Sequence, residues 1–222
     1  MIVTIDGPAG SGKSSAARGL AKRLGFRLLD TGAMYRAVAL ACVRKTIDLT
    51  DEAAVADMAR RCQIVAEDGH VLLDGEDVSS AIREPAVSEA ASQVASQPAV
   101  RQHLVAKQRE LGKGRNLVTE GRDQGTVVFP DAECKFYVDA HPDERAHRRH
   151  QELLAQGQTL SIEETLQQIR DRDQRDASRV VSPMKKADDA IEVDTSTMPL
   201  DAVLDLMEQT VRERMGSSDR IL

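Results

Sequence analysis

Residues 7–14 read Gly7-Pro8-Ala9-Gly10-Ser11-Gly12-Lys13-Ser14, the spacing G-x-x-x-x-G-K-[ST], and no other stretch restricts the chain so much. Ahead of it the β-branched run Ile2-Val3-Thr4-Ile5 predicts a buried strand. Behind it Ala, Leu, Lys and Arg recur at helical spacing from Ser15 to Leu24. Between strand and helix, three glycines let a loop curl until successive N–H groups face one point, and the helix turns its positive end to the same point. That is a seat for a polyphosphate. Lys13 is expected to bridge β- and γ-phosphates and the Ser14 hydroxyl to ligate Mg²⁺. The loop implies a nucleoside triphosphate without specifying the reaction.

Four further strands are predicted, at 27–30, 116–119, 135–139 and 191–194, alternating with helices. The predicted fold is α/β, a P-loop three-layer arrangement with a five-stranded parallel sheet flanked by helices. Residues 48–82 break the alternation. A helix over 51–61 capped by Thr50 is followed by two strands, 63–66 and 70–73, around the turn Glu67-Asp68-Gly69, which predicts an inserted subdomain with a small antiparallel sheet. Helix resumes over 79–96 and 99–111, separated by Pro98. The closing helix spans 199–215, with a frayed tail from Gly216.

Composition narrows the partners. Net charge is −6 and aromatics are 2% with no Trp, so the chain lacks both a basic footprint and stacking platforms for nucleic acid. Only 145–186 runs the other way, with nine Lys/Arg against six Asp/Glu, and phosphate charge is expected there. Cys42, Cys62 and Cys134 are far apart with no C-x-x-C pair, as in reduced thiols of a cytoplasmic protein. Met1 leads directly into the first strand, with no room for a signal peptide, and no apolar run approaches the ~18 residues of a membrane span. A monomer is expected.

Two groups of residues suit phosphoryl transfer. Glu120-Gly121-Arg122-Asp123 ends a predicted central strand, the edge of an α/β sheet where ligands sit; Glu120 could hold a Mg²⁺-bound water beside Ser14. Arg172, Arg175 and Arg179 are spaced i, i+3, i+7 on one helical face with Asp176 beside them, and convergent guanidinium groups match charge spread over several phosphate oxygens. Asp171 and Arg175 form an i, i+4 pair. Arg145, Arg148 and Arg149 stand before Gly157, and the Arg172 cluster stands after it. This predicts a lid over about 150–175 that would expel water. His147 and His150 have no third ligand nearby, and Lys185 and Lys186 read as a solvated pair.

Taken together, IVTIDGPAGSGKSS, LLDTGAMYR, LDGEDVSSAIR, ASQVAS with PAVR, TEGRDQGTVVFPDAECKFYVDA, ERAHRR, RDRDQRDASR with VVSP, and DDAIEVDTS resemble the bacterial cytidylate kinases along nearly the whole length. The resemblance implies one P-loop kinase domain over 1–222, with 48–82 as the monophosphate-binding subdomain. It implies ATP and CMP or dCMP as substrates, Mg²⁺ with the ATP, and no nucleic-acid or membrane partner. ATP would be bound by Gly7, Pro8, Ala9, Gly10, Ser11, Gly12, Lys13, Ser14, Ser15 and Arg149. Thr31, Tyr35 and Arg36 would line the monophosphate site, joined by Ser92, Arg101 and Gly121. Arg122 and Asp123 would reach nucleotide phosphate and sugar; Asp176 would hold the sugar, and Arg172 and Arg179 the phosphates. Lys13, Arg122, Arg172 and Arg179 are the expected catalytic charges. The chain departs from the family pattern at Glu120, where Asp is usual, and at Thr31, which replaces Ser and keeps the hydroxyl.

Two other readings compete. One is a P-loop kinase of a small metabolite such as shikimate, disfavoured by the insertion. The other is a nucleotide-dependent switch, for which no base-selecting N-K-x-D motif is present.

Overall fold

In the computed structural model, residues 1–67, 69–155 and 157–218 are described. The first β-branched run forms β1 (Ile2–Asp6), and the P-loop leads into α1 (Lys13–Leu24). Next come β2 (Arg27–Asp30), α2 (Thr31–Arg44), α3 (Glu52–Arg61), β3 (Ile64–Glu67), β4 (His70–Leu73) and β5 (Glu76–Asp77). A 3-10 turn, Ala81–Arg83, precedes α4 (Pro85–Val94), α5 (Pro98–Gly112) and β6 (Leu117–Gly121). The second half holds β7 (Cys134–Asp139), α6 (Pro142–Ala155), α7 (Ile162–Ala177), β8 (Ile191–Asp194) and α8 (Leu200–Ser218).

The main sheet is parallel, in the order β2-β6-β1-β7-β8, as the alternation of strands and helices predicts. Strands buried on both faces need apolar side chains on both, which is why β1 and β6 read as short continuous runs. Register aligns the carboxyl ends: Asp6 lies opposite Gly121 and Tyr137, and Asp30 opposite Glu120. Residues more than a hundred positions apart thus share one edge.

Helices cover both faces. On one, Ala16, Ala17 and Leu20 of α1 and Val203, Leu204, Met207 and Val211 of α8 pack on Val3, Ile5, Phe136 and Val138. The small residues of α1 let α8 approach closely: a Cβ on Gly19 would lie 2.7 Å from Leu204. On the other face, α2 is nearly all apolar and joins α3, α4 and α5 in a second core with Val71 and Leu73 of the small sheet and Val78 just after it. That sheet is antiparallel, β3-β4-β5.

Local details differ from the sequence reading. The cap of α3 is Asp51, which accepts the Ala54 N–H at 3.0 Å; Thr50 donates its hydroxyl to Asp48. The small sheet has a third strand, and residue 68 of the turn lies outside the described residues. Pro98 starts α5 and Pro85 starts α4, since a first-turn position needs no N–H. The last helix continues through Gly216 to Ser218, and 219–222 lie outside the described residues.

Met207 is fully buried between α8 and the sheet. Met207→Ala is expected to cost about 2–5 kcal/mol in urea unfolding while leaving the rate constants of the folded protein unchanged.

Candidate active site

The loop 7–14 stands on the carboxyl edge of β1. Its curl requires glycine where neighbouring backbone is closest. A Cβ on Gly7 would overlap the Val138 carbonyl oxygen at 2.0 Å, and Gly10 sits at φ +76° with the Arg145 carbonyl 2.9 Å from where its Cβ would be. Lys13 is buried beneath the loop and donates from Nζ to the Pro8 carbonyl at 3.0 Å. Ser14 Oγ donates to Glu120 Oε1 at 2.7 Å, so the longer Glu side chain does reach the end of the loop. The Ser11 hydroxyl is buried without a partner.

Around Lys13 the structure collects positive charge. Burial, and then the Arg122 guanidinium, push the Lys13 ammonium down to about 7, with Glu120 opposing. Arg172 is pushed down to about 10 by burial and by Arg122, and its Nε is buried with no partner. Arg179 is also lowered by burial, and its Nε is likewise without a partner. One carboxylate holds the group together: Asp176 accepts from Arg122 Nε at 2.9 Å and from Arg179. Burial alone would raise the Asp176 carboxyl, but Arg122, Arg179 and Arg172 outweigh it and hold it below the usual range. Guanidinium N–H groups left over after this pairing are donors for an anion.

Beside this cluster lies a second pocket. Arg101, 2% exposed, donates to Asp123 Oδ2 at 2.5 Å and stacks over the Tyr35 ring, 5.3 Å from its centroid. Burial pushes the Tyr35 phenol up to about 12, so it stays neutral. The Ser92 hydroxyl and the Arg101 Nε are buried and unpartnered. Arg36 donates to Asp30 at 3.0 Å and keeps a free Nε. The Thr31 hydroxyl donates to the Glu120 carbonyl at 2.7 Å, tying the start of α2 to β6 where Gly121 follows.

Other expected residues are placed differently. Arg175 is exposed and bonds the Asp171 carbonyl of its own helix, while the Asp171 carboxylate takes Gln167 instead; the expected three-arginine helical face does not form, because α7 ends at Ala177 and Arg179 reaches Asp176 from the segment after it. Arg149 pairs with Glu152 at 3.0 Å, although its charge still bears on Arg172. Arg145 and Arg148 already have partners: Arg145 donates to the Ala140 and Ala9 carbonyls and to Asp173, and Arg148 to the Thr195 hydroxyl and carbonyl and to Glu144. Lys186 pairs with Glu192. Among the described residues, no group of three or more His, Cys, Asp or Glu could hold a metal, and no helix is long and apolar enough to cross a membrane.

Several supporting residues were missed. The Asp6 carboxylate accepts the Gln124 and Gly125 N–H groups at 2.9 and 2.7 Å, strapping the turn that carries Arg122 and Asp123 to the strand that carries the P-loop. Burial raises this carboxyl to about 7. Thr195, the residue after β8, donates its hydroxyl to the Ser11 carbonyl at 2.9 Å and supports the loop. The DTS of residues 194–196 was the available signal for it.

Comparisons with known proteins identify the family. The family model described as Cytidylate kinase matches residues 3–213. A protein named Cytidylate kinase from Citrifermentans bemidjiense is 45% identical over 224 residues, covering 99% of this chain and 96% of its own length. Another of that name, from Caldanaerobacter subterraneus subsp. tengcongensis, is 45% identical over 211 residues, covering 95% and 94%. A solved structure of an uncharacterized protein from Eubacterium ventriosum shares the fold, with a TM-score of 0.54, 13% identity and coverage of 96% and 98%. The family model over residues 3–213 and the near full-length match to these relatives make this chain a member of the cytidylate kinase family.

Proposed function

We propose that the chain transfers the γ-phosphoryl group of ATP to the phosphate of CMP or dCMP. The observation that supports this reading is the set of buried, unpartnered guanidinium nitrogens on Arg172, Arg179 and Arg36: Arg172 bears on Lys13 of the P-loop and on Arg36, and Arg179 on Arg101 and Tyr35 of the second pocket.

A phosphate oxygen of the acceptor attacks the γ-phosphorus as the bond from γ-phosphorus to the β–γ bridging oxygen breaks, and ADP leaves with that electron pair. The acceptor is already anionic, so no general base is required, and catalysis is positioning plus charge neutralisation. Lys13 would exchange its bond to the Pro8 carbonyl for β- and γ-oxygens. Arg122 and Arg172 would face the transferring group from opposite sides, with Arg179 and Arg36 on the acceptor phosphate. Ser92, Arg101 and Asp123 would read the nucleoside, and Asp176 would join them at the sugar. A pocket that pairs buried donors and acceptors with the base can reject analogues by ~10⁴-fold or more.

Mg²⁺ would arrive with ATP. The oxygen pair of Ser14 Oγ and Glu120 Oε1 fits it, since a hard cation takes oxygen ligands and keeps several waters. When bound it neutralises charge on the β- and γ-phosphates. We further propose that residues 48–82 act as the monophosphate-binding subdomain and α6–α7 as the lid, within one kinase domain. No observation favours the small-metabolite kinase or the switch.

ADP release from Mg·ATP, followed with CMP, dCMP, UMP, AMP, shikimate or no acceptor, tests the assignment. CMP and dCMP are expected to stimulate strongly and shikimate not at all, and Arg172→Met to lower kcat by on the order of 10²-fold. Release independent of acceptor would refute it.

Lys13 gives a second test. Its ammonium, lowered from 10.5 to about 7 in the free protein, is largely neutral at about pH 8 and becomes charged against phosphate. ATP binding at about pH 8 should therefore take up close to one proton, read by calorimetry in buffers of different ionisation enthalpy. Uptake should fade below about pH 6, where Lys13 is already protonated, and vanish in Lys13→Met.

A further inference from the structure

The RDRDQRDASR stretch contains a carboxylate that the proposed mechanism leaves unused. Asp173 sits beside Arg172 on α7, and its Oδ1 accepts the backbone N–H of Ala9, inside the P-loop, at 3.2 Å. Its other oxygen pairs with Arg145 of α6, whose Nη1 also donates to the Ala9 carbonyl at 3.1 Å. The three groups close a ring: Ala9 N–H to Asp173, Arg145 to Asp173, Arg145 to Ala9 C=O. Arg145 is 8% exposed and fixed at its Nε by the Ala140 carbonyl. The α6 backbone abuts the loop at Gly10.

A carboxylate on a P-loop amide could act in either of two ways. It could occupy the phosphate seat and compete with ATP, or it could grip the loop from outside and dock α7 on it. The carboxylate is paired with Arg145, which also takes the Ala9 carbonyl, and the α6 backbone at Arg145 stands against Gly10. Asp173 therefore belongs to the contact that α6 and α7 make with the loop, which favours the grip.

From this we infer that Asp173, held by Arg145, is a positioning residue that docks α7 on the P-loop and so sets where Arg172 and Asp176 meet the transferring phosphoryl group. Charge-assisted hydrogen bonds are short and directional, so a helix pinned at Asp173 fixes its neighbours one and three positions away. A displacement of about 1 Å at a reacting group can cost ~10²-fold in rate. The inference rests on the phosphoryl-transfer reading proposed above.

The test is steady-state kinetics of Asp173→Asn, Asp173→Glu, Arg145→Met and the Asp173→Asn/Arg145→Met double variant, each with its Tm. Asp173→Asn is expected to lower kcat about 10- to 100-fold with KM for ATP and CMP within about threefold and Tm unchanged, and to raise the ratio of ATP hydrolysis to transfer. Asp173→Glu should recover part of kcat. The double variant should be no slower than Arg145→Met alone, because the two residues act as one unit. An unchanged kcat in Asp173→Asn would overturn the inference, as would a lowered KM for ATP, which marks a competitor, or additive losses in the double variant. Wild-type protein with no CMP-stimulated ADP release would instead sink the function on which the inference rests.

Discussion

Asp176 is the only carboxylate among the described residues that bonds two of the guanidinium groups of the site, and the arrangement depends on that pairing. Lys13, Arg122, Arg172 and Arg179 are drawn together out of water, where two like charges about 4 Å apart repel by ~4 kcal/mol at an effective dielectric constant of 20. Asp176 offsets part of this by pairing Arg122 and Arg179, and Glu120 opposes the loss of the Lys13 proton. The remainder is left uncompensated: Arg172 and Arg179 each keep a buried Nε without a partner. Such a cost is tolerable only where a polyanion completes the site, so surplus positive charge is itself the mark of a phosphate seat.

The sheet makes this possible. Parallel strands end at one edge, so β1, β6 and β2 bring Asp6, Gly121 and Asp30 into line although they lie far apart in the chain. Hydrogen bonds across the edge then fix the loops to one another. Asp6 straps the turn after β6 to the P-loop strand, Thr31 ties α2 to β6, and Thr195 supports Ser11 from just after β8. Loops held this way can carry unpaired charge without collapsing, because their backbone partners are already satisfied.

How much of this was legible in the sequence follows from the range of each interaction. The P-loop, the five strands and the split of helices around them are local patterns, and they match the observed sheet. Errors arose where neighbours compete for one role: Thr50 and Asp51 are both good caps, and only the turn geometry puts Asp51 under Ala54. Arg175 sits at helical spacing with Arg172 and Arg179, but α7 ends at Ala177, so Arg179 lies beyond the helix and Arg175 turns to solvent. The Asp6 strap and the Ala9–Asp173–Arg145 ring were invisible because each needs the register of strands or helices more than a hundred residues apart. β5, two residues long, carries no periodicity to read.

The central claim is that the P-loop and the Tyr35–Arg101–Asp123 pocket face a single continuous row of phosphates, with the free guanidinium groups between them. Titration with adenosine and cytidine joined 5′ to 5′ by five phosphates measures this directly. The account predicts one site, binding at least ~10²-fold tighter than ATP or CMP alone and displaced by either nucleotide. Displacement by ATP but not by CMP, or affinity no better than that of ATP, would contradict it.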